Sequence, residues 1–126
     1  MVLRGGCHCG NVRFEVEAAA DIEAQQCNCS ICQMNGYLHL IVAKRNFRLL
    51  SGDALLRTYQ FGSEVARHYF CRDCGIKSFY VPRSHPDGIS VNVNCLERNG
   101  IRSVTVVPFD GQNWEQNIHK LSPISD

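Results

Sequence analysis

In the stretch QQCNCSICQMNG, Cys27, Cys29 and Cys32 stand within six residues. A C-x-C-x-x-C run sets three thiolates at one turn, where a loop entering a helix can wrap them around one ion. Catalytic zinc is held by three protein ligands and an open position, whereas structural zinc takes four. Three thiolates over-neutralise Zn2+ and leave the unit with a net negative charge. Water bound there is less acidified than at a three-histidine site, so the set is a poor source of hydroxide. A soft thiol is the better fourth ligand, and zinc would hold it as thiolate at neutral pH. The run therefore suggests thiol binding or activation rather than hydrolysis. An iron–sulfur cluster is the rival reading and would need a fourth ligand.

The chain has eight cysteines, and two further pairs flank this run: Cys7 and Cys9 in GGCHCG, and Cys71 and Cys74 in FCRDCG. Both pairs sit among glycines, which permit the positive φ that turns backbone N–H groups toward thiolates. Joined in space they give a four-cysteine set, the closed tetrahedral arrangement of structural zinc. A disulfide or redox pair is the alternative, but the two cysteines of a C-x-C bridge each other poorly. Two Zn2+ per chain are thus expected, one structural and the other either open for chemistry or closed by Cys95 or a histidine. Cys95 in VNVNCLE remains over. It either closes the second site as a fourth ligand or is a buried free thiol. His39, in YLHLIV, is a candidate proton acceptor facing the site, against the plainer reading of a core or surface histidine. His8 and His68 carry no functional signal of their own.

The elements that must position these residues are mostly strands. NVRFEVEA puts Val12, Phe14 and Val16 on one face, with Arg13, Glu15 and Glu17 on the other. Further strands are predicted in YLHLIVAK, FRLLSG, LLRTYQF, ARHYFC, IKSFYVP, GISVNVN and SVTVVPF. Turn signals separate them at Gly36, Ser51-Gly52-Asp53, Gly62-Ser63, Pro86-Asp87-Gly88 and Asn99-Gly100. A short helix is predicted through SICQMN, starting at Asn28 or Ser30, with Ser30 as its cap. One or two further turns are predicted in DGQNWEQNIHKL. Many short strands at regular spacing indicate a mainly antiparallel β fold, with the cysteines at strand ends and turns.

At 126 residues the chain is read as one zinc-binding domain, residues 1–126. A formal net charge of +1 offers no footprint for nucleic acid or an anionic membrane surface. Arg67, His68, Arg72 and Lys77, mixed with Glu64 and Asp73, are read as a solvated sheet face. The N-terminal stretch MVLRGGCHCGNVRF has no apolar h-region, and the apolar run at YLHLIVA is far short of the ~20 residues of a membrane helix. A cytoplasmic location is the expectation, where thiols stay reduced and cysteines suggest metal before disulfides. Nothing in the sequence speaks to oligomeric state.

Taken in order, CHCG, CNCSIC and FCRDCG resemble the zinc motifs of the glutathione-dependent formaldehyde-activating enzyme and centromere protein V family. The resemblance runs from Gly6 to about Trp114 and extends through SFYVPRS, IRSVTV and FDGQNWE. It implies an Mss4-like fold, coiled antiparallel sheets stapled by zinc with one or two short helical turns. It assigns Cys7, Cys9, Cys71 and Cys74 to the structural zinc and Cys27, Cys29 and Cys32 to the catalytic one. The implied activity is that of a carbon–sulfur lyase: reversible addition of glutathione to formaldehyde, giving S-hydroxymethylglutathione. The alternative is a non-catalytic zinc module that carries thiols or binds a protein partner. Methionine sulfoxide reduction, known on related folds, would need Cys95 as its reactive thiol. The motifs carry no added basic segment of the kind chromatin binding would use. Glutathione's carboxylates make Arg83, Arg67 or Lys44 candidate contacts, with Ser84 or Asn94 as hydrogen-bond donors.

Overall fold

The computed structural model describes residues 1–62 and 66–110. Ten strands and one short helix follow in chain order. They are β1 (Val2–Gly6), β2 (Arg13–Glu17), β3 (Asp21–Cys27), α1 (Ser30–Asn35), β4 (Leu38–Ala43), β5 (Phe47–Ser51), β6 (Leu56–Tyr59), β7 (Arg67–Cys71), β8 (Phe79–Val81), β9 (Gly88–Asn92) and β10 (Ser103–Phe109). A three-stranded antiparallel sheet runs β1-β2-β5, and a seven-stranded sheet runs β10-β3-β4-β9-β8-β7-β6. The mainly β architecture expected from the sequence is present. No helix among the described residues is long and apolar enough to cross a membrane.

The two sheets meet over an apolar core. The alternation in β2 sends Phe14 and Val16 fully inside, next to Val12 in the loop before it, while Glu17 stays in water. Phe14 packs on Phe47 and Phe79 at centroid separations of 5.2 and 6.0 Å, bridging the sheets. Phe47 and Phe79 lie 4.8 Å apart. From the seven-stranded sheet, Ile22, Ala24, Val42, Phe79, Ile89 and Val91 face this core. Successive side chains of a strand point to opposite faces, so the other face of the same strands carries Gln25, Cys27, His39, Ile41, His68, Tyr80 and Ser90. That second face holds the chemistry.

Strand β9 shows the division most clearly. All five of its residues are buried: Ile89 and Val91 in the core, Ser90 and Asn92 on the opposite face. Buried polar groups need partners, and both have them. Ser90 meets Tyr37 and His39, and Asn92 bonds Leu38, Lys77 and Asn94. Pairing of β4 with β9 (His39 opposite Asn92, Ile41 opposite Ser90) and of β8 with β9 (Tyr80 opposite Ser90) brings these groups side by side.

Several details differ from the sequence reading. Strands β1 and β3 were not predicted. The pairing of β10 with β3 is parallel, Ser103 opposite Asp21 through Phe109 opposite Cys27. The guanidinium of Arg102 and the hydroxyl of Ser103 clamp the Asp21 carboxylate at one end of this pairing, and Asn28 N–H donates to Phe109 C=O (3.3 Å) at the other. Pro108 is tolerated because β10 is an edge strand. Helix α1 begins at Ser30, but its N-cap is Cys29 rather than Ser30. The helix ends on Gly36 in the left-handed region, φ 61°, from which Tyr37 enters the core beneath β9. His68 and Lys77, read as part of a solvated face, are buried. The turns predicted in DGQNWEQNIHKL, the turn position Ser63 and the charge at Glu64 lie outside the described residues, apart from Asp110.

Candidate metal centres and the cavity beside them

The Sγ atoms of Cys7, Cys9, Cys71 and Cys74 all lie within 4.8 Å of one another. Cys7 and Cys9 follow β1, Cys71 closes β7 and Cys74 lies in the turn after it. Cys9 Sγ is 3.5 Å from Cys7 Sγ and 3.7 Å from Cys71 Sγ. Tetrahedral zinc with Zn–S bonds of about 2.3 Å has sulfur–sulfur edges of about 3.8 Å, so the donor set and its spacing fit that ion. Backbone N–H groups are aimed at the cluster, Val12 N–H reaching Cys7 Sγ at 3.4 Å. Gly75, at φ 76°, turns the Cys71–Cys74 knuckle and donates its N–H to Cys71 C=O at 2.7 Å. All eight cysteines are free thiols.

Cys27, Cys29 and Cys32 form the second group, again with every Sγ within 4.8 Å. Cys27 ends β3, Cys29 occupies the N-cap of α1, and Cys32 lies in its first turn. The register that brings β10 beside β3 places Phe109 against Cys27. The three sulfurs share protons unequally. Hydrogen bonds from Cys27 and then Cys32 drive the Cys29 thiol far below its ordinary range, while the contact with Cys29 pushes Cys27 up and contacts with Cys27 and then Cys29 push Cys32 up. Three sulfur donors this close together fit a soft cation.

Cys95 belongs to neither group. It ends a short turn, Val93–Cys95, after β9. Burial, followed by the charges of Cys7 and Cys74, raises its thiol to about 11. The lone cysteine therefore does not close the three-cysteine group.

His39 does face that group. Its Nε2 is 3.2 Å from Cys32 Sγ, and its Nδ1 meets Ser90 Oγ at 3.0 Å and Tyr80 OH at 3.2 Å. The ring is buried, and burial first, then Lys77, lowers its pKa to about 3, so it is neutral at pH 7. Tyr37, fully buried, lies tilted against it at a centroid separation of 4.5 Å and donates its hydroxyl to Ser90 C=O at 2.6 Å. Lys77 lies 3.8 Å above the Tyr80 ring and 2.7 Å from His68 Nδ1. Desolvation lowers its pKa to about 8.

A cavity of about 450 Å³ opens onto the three sulfurs. Its polar lining comes from the cysteines, His39, His68, Tyr80, Arg83 and Ser84, and its apolar wall from Ile31, Ile41, Phe61, Pro82 and Phe109. Of the residues expected to contact a thiol substrate, Arg83 and Ser84 are here. Asn94 is not: its side chain donates to Gly36 C=O at 3.0 Å, and its N–H donates to Asn92 Oδ1. Lys44 and Arg67 line a different depression, with Tyr69, Phe79 and Ile89. Sequence reasoning missed Tyr37, Lys77, Tyr80 and Ser90. The one available signal was in GISVNVN, where Ser90 and Asn92 alternate with Ile89 and Val91 in a strand bounded by apolar neighbours.

A crystal structure of a Rhodobacter sphaeroides protein superimposes with a TM-score of 0.68 and 37% sequence identity, covering 81% of this chain and 99% of that one. The family model described as glutathione-dependent formaldehyde-activating enzyme matches residues 2–110, a span containing both cysteine groups. This chain belongs to the glutathione-dependent formaldehyde-activating enzyme family.

Proposed function

We propose that the chain is a zinc-dependent carbon–sulfur lyase that adds a thiol, glutathione or a relative, reversibly to formaldehyde or another small aldehyde. The carrying observation is that three cysteine sulfurs converge without Cys95 and open onto a cavity, while four others form a separate complete set. In this reading Cys7, Cys9, Cys71 and Cys74 hold a structural zinc, and Cys27, Cys29 and Cys32 hold a catalytic one. The catalytic ion would supply a soft Lewis acid that takes a thiol at its remaining position and keeps it deprotonated.

The chain's own residues do the rest. Arg83, at the cavity wall, pairs with a substrate carboxylate. The apolar wall of Ile41, Phe61 and Phe109 excludes water from the forming hemithioacetal. The new S–C bond uses the thiolate pair, the C=O π pair moves to oxygen, and that oxygen takes up the proton the thiol gave up. His39 is engaged at both ring nitrogens. Its first role is therefore to orient Cys32, and service as the proton acceptor requires it to release one of those contacts. Asn94, occupied by Gly36 on the protein surface, has no part in this scheme. A second site closed by Cys95 would favour a non-catalytic zinc module, and Cys95 stands outside the three-cysteine group.

Zinc content and thiol affinity test the reading together. The unaltered chain should carry two zincs and bind glutathione. Cys29→Ser should keep the zinc of the four-cysteine group and lose thiol affinity. Two tightly held zincs with unchanged thiol binding in that variant would sink the proposal.

A further inference from the structure

Lys77 and His68 form a buried cation–imidazole pair, His68 in the cavity wall and Lys77 behind it, and the scheme above leaves both unused. An ammonium has N–H donors and no lone pair, so at 2.7 Å Lys77 Nζ can only donate to His68 Nδ1. Nδ1 is then the acceptor, and a neutral imidazole must carry its single proton on Nε2. Burial, with the Lys77 charge adding to it, lowers the His68 pKa to about 4, in keeping with a neutral ring.

The ring is held on both faces. Tyr80 stacks on it at 4.8 Å and 12°, and Phe61 at 5.5 Å and 24°. Lys77 is fixed in turn over the rings of Tyr80 and Tyr37, at 3.8 and 4.8 Å, and Asn92 Nδ2 donates to its backbone C=O at 3.2 Å. With its faces covered and its Nδ1 edge taken by Lys77, the Nε2 edge is what His68 gives to the cavity it shares with Cys27, Cys29 and Cys32. No fully buried side-chain nitrogen or oxygen among the described residues lacks a partner, so a free Nε2–H is an accessible one.

We propose that His68, fixed as its Nε2–H tautomer by Lys77, is the hydrogen-bond donor that holds the aldehyde oxygen while the carbon–sulfur bond forms. The inference rests on the proposed carbon–sulfur lyase reaction. As the thiolate attacks, negative charge develops on oxygen, and a preorganised donor in a water-poor site stabilises that charge more than it stabilises the neutral carbonyl. A neutral imidazole N–H serves this purpose. His68 keeps its proton throughout; the proton that ends on oxygen is the one the thiol surrendered. Lys77 touches no reacting atom and is a positioning residue.

The test uses the zinc-loaded full chain and reads both tautomer and turnover. Imidazole 15N NMR should show His68 protonated at Nε2, and addition of glutathione with formaldehyde should shift that N–H resonance. His68→Phe keeps the stacking and removes the donor. It should lower kcat, measured by exchange NMR between glutathione and its hydroxymethyl adduct, by about 100-fold. KM for glutathione and zinc per chain should stay unchanged. His68→Gln, which restores an N–H, should recover part of the rate, and Lys77→Met should populate the Nδ1–H tautomer. A resting ring protonated at Nδ1, or a His68→Phe variant at full rate, overturns the assignment and leaves the proposed reaction standing. Absence of turnover in the unaltered chain would instead strike the reaction itself, with the tautomer still readable.

Discussion

Replacing Gly52 by alanine should damage one metal centre and spare the other. Gly52 follows β5 with φ 89° and ψ 11°, in the left-handed region. A Cβ at this position would stand 2.6 Å from Asn11 C=O oxygen and 2.8 Å from Val12 Cα. Both are backbone atoms, so no side-chain rotation relieves the overlap. The left-handed conformation costs alanine about 1–2 kcal/mol, and forcing extra volume into packed backbone costs about 1–3 kcal/mol more. The sum is a loss of about 2–5 kcal/mol. The displaced segment is the return of the first knuckle, where Val12 N–H points at Cys7 Sγ and Cys7 N–H donates to Val12 C=O at 3.0 Å. Zinc should therefore leave the four-cysteine group at lower chelator concentration, while glutathione binding at the cavity persists. Urea unfolding followed by circular dichroism at saturating zinc, beside a chelator titration, measures both effects. A variant within about 0.5 kcal/mol of the unaltered protein, with zinc retention unchanged, would refute the reasoning.

Other expectations follow from single contacts. Tyr37→Phe removes only the hydroxyl that donates to Ser90 C=O; the lost bond should cost about 0.5–1.5 kcal/mol, read as a lower urea midpoint with unchanged slope. Arg83→Ala should raise KM for glutathione about 10- to 100-fold, the range for one charge-assisted hydrogen bond, with kcat little changed; an unaltered KM would remove Arg83 from the site. The folded-state pKa of His68, about 4, lies below its ordinary 6.5, so the unfolded chain binds the extra proton first. Its contribution to stability is complete above pH 6.5 and is lost as pH falls toward 4. His68→Phe should flatten the acid limb of the stability profile relative to the unaltered protein, and identical limbs would contradict the burial argument.

The chemistry of this chain was more legible in its sequence than the neighbourhood of that chemistry. Cysteine spacing separated a four-ligand set from a three-ligand one because C-x-C and C-x-x-C geometry is local. The alternation of Val12, Phe14 and Val16 marked β2 because one face of that strand meets core and the other meets water. Strand β3 escaped notice for a physical reason. Ile22 and Ala24 are its only core residues, and Gln25 and Cys27 on its other face line the cavity, so it lacks a strong apolar signature. In β1 the Gly5-Gly6 pair reads as a break, yet both glycines are needed. A Cβ on Gly5 would meet Cys95 C=O oxygen at 2.6 Å, and one on Gly6 would overlap Val12 C=O oxygen. The burial of His68 and Lys77, and the parallel seating of β10, depend on which strands become neighbours, and residue order alone does not carry that information. Arg83 reached the cavity and Asn94 did not, although both were selected on the same chemical grounds.

The central claim is that one zinc is closed by protein sulfur and the other awaits a thiol. Zinc K-edge X-ray absorption on the doubly loaded chain, with and without glutathione, tests it most directly. Seven protein sulfurs lie in the two groups, so on this account the resting average should be about 3.5 sulfurs per zinc, rising to about four when glutathione sulfur binds. Cys29→Ser should abolish the rise. A resting average of four that glutathione leaves unchanged would contradict the account.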